Sequence, residues 1–164
     1  MKPVFKSVVF AVIFSCLLFS CSKKDANMGD KDYPQAKMTA EISYTGDLSS
    51  QLVFASISAF KVKNANDHVG ASVNLINDQT QTSDIIWNLK NDQFEDHDKY
   101  RFTSDGAVTK AMVEVAFNSD RPAGLDADKI IAVTVKIYFN GKLADEQTFS
   151  NEKAHSEMYT VNVK

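Results

Sequence analysis

The sequence predicts an all-β domain, an antiparallel β-sandwich or barrel of about seven to nine strands. Three observations predict it. Apolar residues recur with a period of two from Met38 to the end of the chain. Asn, Asp and Gly separate these alternating segments, as turns separate strands. An Asn-Gly pair joins two of the most regular segments, which is the strongest short-range signal of a β-hairpin.

Before this domain, residues 1–20 have the features of a secretory signal. The first six residues contain two lysines and no acid, and residues 8–19 read VVFAVIFSCLLF without a charge. Twelve helical residues reach about 18 Å, which is too short for a hydrocarbon core of about 30 Å. A basic segment, a short apolar segment and a small residue before the cut are typical of a signal peptide.

The end of this leader resembles the lipobox of bacterial lipoproteins. Leu18, Ser20 and Cys21 match its pattern, and Phe19 is bulkier than the usual residue at that position. The resemblance implies cleavage before Cys21, a diacylglycerol thioether on its sulfur, and attachment to a membrane through that lipid. Cys16, the other cysteine, lies inside the leader, so the mature chain keeps Cys21 alone and has no partner for an internal disulfide.

Residues 21–37 are predicted to be the lipidated cysteine and a flexible polar tether. Such a stretch resembles the segment after the lipid cysteine in lipoproteins of Bacteroidetes-type bacteria. The residue after the cysteine, Ser22, resembles that of lipoproteins sent to the outer membrane. The expected location is therefore the outer membrane of the cell envelope, with the periplasmic face and the cell surface as the two alternatives.

Residues 38–164 form the predicted sandwich domain, and its strands follow in order. The alternating apolar faces are Ala40, Ile42 and Tyr44; Val53, Ala55, Ile57 and Ala59; Val69, Ala71, Val73 and Leu75; Ile85 to Leu89; Tyr100 and Phe102; Ala111, Val113, Val115 and Phe117; Ile131, Val133, Val135, Ile137 and Phe139; and Tyr159, Val161 and Val163. Between two of them, Asn140-Gly141 predicts a type I′ turn, because both central residues of that turn need positive φ. The hairpin should join Ile130–Phe139 to Lys142–Phe149.

The domain also resembles the MmpS-like envelope proteins, which are small membrane-tethered immunoglobulin-like domains. The similar segments are residues 42–46, Ile86-Trp87, and residues 135–142 with the late hairpin. The Trp segment lacks the Pro of that family, and residues 108–128 diverge from it. The resemblance implies that the domain is an antiparallel immunoglobulin-like β-sandwich. It also implies a non-catalytic protein that accompanies a lipid or siderophore exporter.

Aromatic residues provide two candidate roles. Trp87 is expected to anchor the core between the sheets, because its neighbours Ile85, Ile86 and Leu89 are apolar. A glycan-binding module is the alternative function, and it would need an exposed aromatic platform. Tyr100, Tyr138 and Phe149 are the candidates for that platform.

Metal ligands are sparse in the sequence. Asp96, His97 and Asp98, next to Glu95, are weak candidates for a divalent cation, but the calcium-loop pattern is missing and a solvated turn is the preferred interpretation. If this segment were a strand, His97 would face away from both aspartates. A second acidic loop carries Asp120, Asp126 and Asp128. We expect no cofactor and no metal.

Charge and catalytic motifs argue against two further classes of function, nucleic-acid binding and nucleophilic catalysis. The chain has 18 basic and 21 acidic residues, a net charge of −3, so it has no basic excess for a nucleic-acid backbone. No Gly-x-Ser-x-Gly motif is present, and the mature cysteine would carry lipid, so no catalytic residue is predicted. The sequence predicts a lipid-anchored, non-enzymatic envelope protein whose partner is an envelope protein, a small molecule or a glycan.

Overall fold

The computed structural model describes residues 33–48, 52–64, 66–77, 80–117, 130–152 and 156–164. Within these ranges the chain forms strands β1 (Ala36–Thr45), β2 (Val53–Asn64), β3 (Asp67–Ala71), β4 (Val73–Asn77), β5 (Thr80–Asp84), β6 (Ile86–Lys90), β7 (Lys99–Val108), β8 (Lys110–Phe117), β9 (Ala132–Phe139), β10 (Lys142–Ser150) and β11 (Ser156–Asn162), and one helix, α1 (Asn91–Asp96). This confirms the predicted all-β class. In this part of the chain, no helix is long and apolar enough to cross a membrane.

Two antiparallel sheets make up the sandwich. The first has the order β10-β9-β1-β7-β4-β5, and the second has the order β11-β8-β2-β3. One edge of β2 has two partners: β6 pairs with the first half of β2, and β3 pairs with the second half of β2. The predicted antiparallel sandwich is therefore observed, with β1 between β9 and β7 at the centre of one sheet and β8 and β2 at the centre of the other.

The core lies between the inward faces of the central strands. Alternate residues along β1, β2, β8 and β9 are buried, and their neighbours are half-buried or exposed, as the period of two predicts. The fully buried side chains include Met38, Ile42, Ile57, Phe94, Phe102, Val113, Ile131, Val135 and Ile137. The predicted core faces of these strands are confirmed.

The strand count is larger than predicted for two reasons. The segment expected to be one strand from Val69 to Leu75 divides at Ser72 into β3 and β4, which belong to different sheets. Strand β5 was not predicted, because it is polar (TQTSD) and is held by its pairing with β4 rather than by an apolar face of its own.

The two edges of the sandwich differ as a result. At one edge the chain crosses between the sheets twice, from β3 to β4 and from β5 to β6. Strands that change sheet in this way form closed corners. At the other edge β10 and β11 end their sheets, and no described strand connects them side by side.

Helix α1 was also absent from the sequence prediction. It is only six residues long, and its central side chain, Phe94, is fully buried. The Phe94 ring packs edge-on against Tyr44 and Tyr100, with centroids 5.2 and 6.0 Å apart. Tyr100 donates its hydroxyl hydrogen to the carbonyl of Gln93. Tertiary packing therefore stabilises this short helix, and a six-residue segment is too short for a helical periodicity in the sequence to predict it.

The predicted Asn140-Gly141 hairpin is confirmed. Both residues have positive φ, 49° and 77°, and β9 pairs with β10 across the turn. The Asn140 side chain also accepts a hydrogen bond from the Lys37 backbone N–H at 3.0 Å, and its own N–H donates to the Lys37 carbonyl. These bonds attach the turn to the start of β1.

Among the glycines that the structure describes, Gly46 is the one whose replacement should be most costly. Its φ is +110°, and an added Cβ would clash with the Ile130 carbonyl oxygen, whereas a Cβ on Gly141 would meet nothing within 4 Å. Gly46→Ala should lower the free energy of unfolding by about 2–4 kcal/mol, from strain plus overpacking. Gly141→Ala should cost only about 1 kcal/mol. Urea melts of the two variants measure the difference, and the reverse order would contradict this assignment.

Candidate functional site

The open edge contains a cleft of about 730 Å³ between the two sheets. Its walls come from β10, β11, the end of β9 and the segment that leads into β1. The lining residues are Pro34, Gln35, Ala36, Phe139, Asn140, Lys142, Leu143, Ala144, Asp145, Gln147 and Tyr159 to Lys164. Its volume is in the range of small-molecule sites, about 300–1,000 Å³.

A β-bulge at Ala144 determines which side chains of β10 face this cleft. The register with β9 shifts between Leu143 and Asp145, so Asp145 lies opposite Ile137 and Gln147 lies opposite Val135. Directly opposed residues share a face of the sheet. Because Ile137 and Val135 are fully buried, Asp145 and Gln147 point toward the interior of the sandwich.

Contacts on the outer face hold this shifted register. Lys136 Nζ lies 2.9 Å from Glu146 Oε1, and the Thr134 and Thr148 hydroxyls lie 3.0 Å apart. The neighbouring Glu146 carboxylate raises the pKa of Lys136. Both pairs are directly opposite in the register, so they support the alignment that turns Asp145 inward.

The inward polar side chains of β10 contact each other. Gln147 Nε2 donates to Asp145 Oδ2 at 3.0 Å, and both side chains are half-buried. A carboxylate offers about four acceptor sites, and a primary amide has two donors and one acceptor oxygen. This pair therefore has hydrogen-bonding capacity beyond the one bond it forms with itself.

Tyr159 completes the polar part of the cleft from the opposite sheet. Its ring packs beside Phe149, with centroids 5.6 Å apart. Its hydroxyl is buried and has no hydrogen-bond partner among the described residues. Burial and, to a smaller extent, the Asp145 carboxylate raise the pKa of Tyr159 above the usual range. The hydroxyl is therefore protonated at neutral pH and is a hydrogen-bond donor.

Charges of both signs border the cleft. Lys142 and Lys164 line it together with Asp145. The apolar part of the wall comes from Phe139, Val161 and Val163. The arrangement is suited to holding a ligand by several hydrogen bonds over an apolar surface.

Sequence reasoning missed these residues, although one signal was present. A two-residue turn places Leu143 opposite Tyr138, on the outer face, if the pairing is regular. The same regular pairing would put Phe149 on the outer face too. A large aromatic side chain such as Phe149 is expected inside the core, so its outward position in the regular pairing indicates a bulge before it. Because Asp145, Gln147 and Phe149 are alternate residues of β10, a bulge that turns Phe149 inward also turns Asp145 and Gln147 inward.

The residues that the sequence singled out lie elsewhere. Cys21 lies outside the described residues, as do Asp120, Asp126 and Asp128. Asp96 is the last residue of α1, and His97 and Asp98 follow it, so this segment is not a strand and the argument from strand alternation does not apply to it. The His97 ring contacts Tyr100 edge-on at 5.6 Å, and Asp98 is exposed.

Trp87 and its neighbours differ partly from expectation. Trp87 is half-buried, packs on Phe102 at 6.0 Å and donates its indole N–H to the Val73 carbonyl at 2.7 Å. It bridges the two sheets, as expected of an anchor. However, Ile85 and Ile86 are about half exposed, at 53% and 47%, because they lie at the corner where the chain changes sheet.

The three candidate aromatic residues do not form the exposed platform that a glycan-binding module would need. Tyr100 and Phe149 are buried, at 3% and 5% exposure, and Tyr138 is half-buried on the outer face of β9. These three residues therefore present no shared flat surface. Phe149 nevertheless borders the cleft residue Tyr159.

A second hollow, of about 700 Å³, lies at the opposite end of the sandwich. Leu52, Val53, Phe54, Lys90, Asn91, Asp92, Ala116 and Phe117 line it. Residues 49–51 and 118–129, which adjoin this lining, are outside the described residues. The open-edge cleft is bounded by described strands on both sides and is the better defined site.

Three solved structures are similar to this chain. An NMR structure of the calcium-bound form of a protein from Parabacteroides distasonis has a TM-score of 0.56 and 15% identity, covering 80% of this chain and 99% of that one. A domain of unknown function, DUF4425, from Bacteroides vulgatus has a TM-score of 0.55 and 16% identity, covering 81% and 98%. A DUF4425 family protein from Bacteroides ovatus has a TM-score of 0.53 and 9% identity, covering 78% and 95%.

At these identities the likeness shows the fold alone. No protein-family model matches the sequence, and no curated protein matches it. The three neighbours consist almost entirely of the matched domain, so this fold forms as a separate polypeptide. All three come from Bacteroides or Parabacteroides.

Tyr159→Phe should preserve or increase stability. A buried hydroxyl without a partner costs about 1–3 kcal/mol, and the variant removes it while keeping the ring on Phe149. We expect the free energy of unfolding to rise by roughly 1 kcal/mol at pH 7. Tyr159→Ala, which also removes the ring, should instead lower it. Denaturant melts compare the three chains, and a large loss in Tyr159→Phe would contradict the absence of a partner.

The same residue predicts a pH dependence. The folded pKa of Tyr159 is raised, so its neutral form is favoured by folding, and that stabilisation is complete below the unfolded pKa. It is lost as pH rises above about 10, where the unfolded phenol ionises. Relative to Tyr159→Phe, the wild type should lose stability between pH 9 and pH 11 (about one unit either side of that pKa). An unchanged difference across this range would be the contrary result.

Metal removal should leave the domain folded. Among the described residues, no group of three or more His, Cys, Asp or Glu side chains is placed to hold a metal ion. The core of alternating Val, Ile and Phe supplies the stability instead. Thermal melts in EDTA and in millimolar calcium should coincide, and a clear shift of Tm between them would show that an ion contributes.

Proposed function

We propose that this protein is a lipid-anchored, non-catalytic lipoprotein of the cell envelope whose β-sandwich binds a partner or ligand. The observation that carries the proposal is the match of Leu18, Ser20 and Cys21 to a lipobox, directly after a short apolar leader segment. Each buried methylene of an acyl chain contributes about 0.8 kcal/mol, so two or three chains on Cys21 hold a protein at a bilayer. The outer membrane is the proposed location.

The tether and the charge of the mature chain support this anchoring mode. The predicted tether is shorter at its C-terminal end than the sequence indicates, because β1 begins at Ala36, and residues 21–35 are left to connect the lipid to the sandwich. Removal of residues 1–20 takes two lysines and no acid, which leaves 16 basic and 21 acidic residues and a net charge of −5. Such a domain has no electrostatic attraction to anionic lipid, so the lipid itself supplies the attachment.

Two roles at the envelope follow from the resemblances and the cleft. The late hairpin, residues 135–142, supports a transport-accessory role like that of MmpS-like proteins, with an envelope exporter as partner. The polar cleft supports the alternative, a glycan-binding module of a nutrient-uptake system that binds through hydrogen bonds, since Tyr100 and Phe149 are buried and provide no aromatic platform. The genes beside this one distinguish the two roles, since an exporter operon and a polysaccharide-uptake operon predict different partners.

Cys21→Ala should abolish lipidation and release the protein from membranes. The sulfur of Cys21 is the proposed attachment point, and the variant leaves the leader and the sandwich unchanged. Metabolic labelling with an alkyne fatty acid, followed by membrane fractionation, measures both effects. Cys16→Ala is the matched control, since Cys16 lies in the leader, and it should label like the wild type. Equal labelling of Cys21→Ala and the wild type would overturn the proposed anchor.

A further inference from the structure

We propose that one end of the sandwich, the end at which the tether enters, binds the anionic headgroups of the membrane that holds the lipid anchor. Six lysines lie at this end, which we call the basic end: Lys37, Lys61, Lys63, Lys110, Lys142 and Lys164. The inference deepens the proposed function and rests on the lipid anchor, which supplies the membrane. The anchor holds the domain at the bilayer, and the basic end determines which part of the domain faces it.

Strand registers place two of the lysines at this end of the first sheet. The start of β1 lies opposite the end of β7 and the end of β9. Lys37 is the second residue of β1, and Lys142 is the first residue of β10, directly after the turn that follows β9. Hydrogen bonds between Lys37 and Asn140 attach that turn to β1, and both lysines are exposed.

The other four lysines lie at the same end of the second sheet. Lys110 is the first residue of β8, and it lies opposite β2 and the last residue of β11. Beyond these pairs, Lys61 and Lys63 continue β2 and Lys164 follows β11, and all three are exposed. A single residue joins β7 to β8, so the lysines of the two sheets belong to one surface.

Few acidic side chains offset these lysines. Asp67 begins β3, Asp105 lies three residues before the end of β7, and Asp145 lines the cleft. Six lysines and three aspartates give the basic end a net charge of +3. The ion pairs among the described residues form elsewhere and use none of the six lysines. Their charge is therefore available to a partner.

The opposite end of the sandwich is acidic. Exposed acids lie beside α1, after β10 and at the start of β11: Asp92, Asp98, Glu152 and Glu157. Strand β1 has ten residues and spans about 30 Å, whereas charges are screened over about 8 Å at physiological ionic strength. The net charge of −5 gives the domain as a whole no attraction to anionic lipid. Because the acids lie several screening lengths from the lysines, the basic end is nevertheless attracted to such a surface.

The tether indicates that the anionic partner is the membrane. Tyr33 and Pro34, the first described residues, line a hollow of about 320 Å³ together with Lys110 and Val163. The tether therefore joins the sandwich at the basic end. Residues 22–32 connect the anchored cysteine to this point, and 11 residues reach at most about 40 Å when extended. The chain itself thus keeps membrane headgroups close to these lysines.

An acidic envelope protein is a different partner for the same lysines, and the structure favours it less. The six lysines belong to five separate segments and are spread over the whole end of the sandwich. A layer of headgroups can meet all of them at once without a fixed geometry. No other anionic partner is brought to this end by a covalent connection.

The first test determines which end of the lipidated mature protein faces the bilayer. Leu143→Trp places a fluorescent reporter at the basic end, and Leu52→Trp places one at the opposite end. Both leucines are 53% exposed, so the two reporters are matched. In vesicles of phosphatidylcholine with about 30% phosphatidylglycerol and nitroxide-labelled headgroups, Leu143→Trp should lose fluorescence relative to the wild type. Leu52→Trp should lose none.

The second test determines whether the lysines provide the attraction, and it uses residues 22–164, which lack the anchor. Sedimentation should show half of the protein bound to these vesicles by about 10 mM lipid. Lys61→Gln with Lys63→Gln should weaken this binding about 25-fold, at roughly fivefold for each lysine. Lys90→Gln with Lys99→Gln removes the same charge from the opposite end and should bind like the wild type. Denaturant melts confirm that both double variants are folded.

Several results would overturn the proposal. They are equal quenching of the two reporters, quenching of neither, or the same quenching of Leu143→Trp in vesicles of phosphatidylcholine alone. Equal losses in the two double variants would attribute binding to net charge and would overturn it as well. Binding of residues 22–164 to an acidic protein but not to anionic vesicles would assign the lysines to that partner instead. Fatty-acid labelling of Cys21→Ala tests the anchor separately, so failure of vesicle binding leaves the anchor intact.

Discussion

Burial of one face of each long strand is the constraint on which the rest of the sandwich depends. In a strand, a slip of one residue exchanges every buried side chain for an exposed one. Strand β9 is the clearest example: Val133, Val135 and Ile137 are fully buried, and the residues between them are not. A shift of β9 by one residue would expose all three. Strands β1 and β10 must align to that face, and the register of the first sheet follows from it.

The bulge at Ala144 is needed because the register that starts at the Asn140-Gly141 turn would place Phe149 on the outer face, whereas burial of the apolar face requires it inside. The Asn140-Gly141 turn starts a regular pairing that would place Ala144, Glu146 and Thr148 inward. One extra residue reverses the pattern, so that Phe149 enters the core and Glu146 meets Lys136 outside. Bulges are common where a strand must redirect a side chain. Here the redirected side chains, Asp145 and Gln147, form the polar wall of the cleft.

The contrast between the two edges explains why the candidate site lies where it does. Crossings of the chain between sheets close the edge formed by β3 to β6, with Trp87 bonded to the Val73 carbonyl across it. At the edge with β10 and β11 the chain crosses between the sheets once, from β10 to β11, and the inward residues Tyr159 and Val161 stay half-buried. The core is less complete at that edge, which leaves a cleft between the two sheets. It also leaves the buried Tyr159 hydroxyl without a hydrogen-bond partner among the described residues, which lowers stability.

The sequence by itself determined the all-β class, the buried faces of the central strands and the Asn140-Gly141 hairpin, because period-two burial and positive-φ turns are local patterns. The N-terminal lipobox is likewise a sequence feature, and the described residues do not include it. Tertiary structure decided the division of Val69–Leu75 between two sheets, the formation of α1 around Phe94, and the inward position of Asp145. Each of these depends on what a segment packs or pairs against, and residues distant in sequence supply that partner.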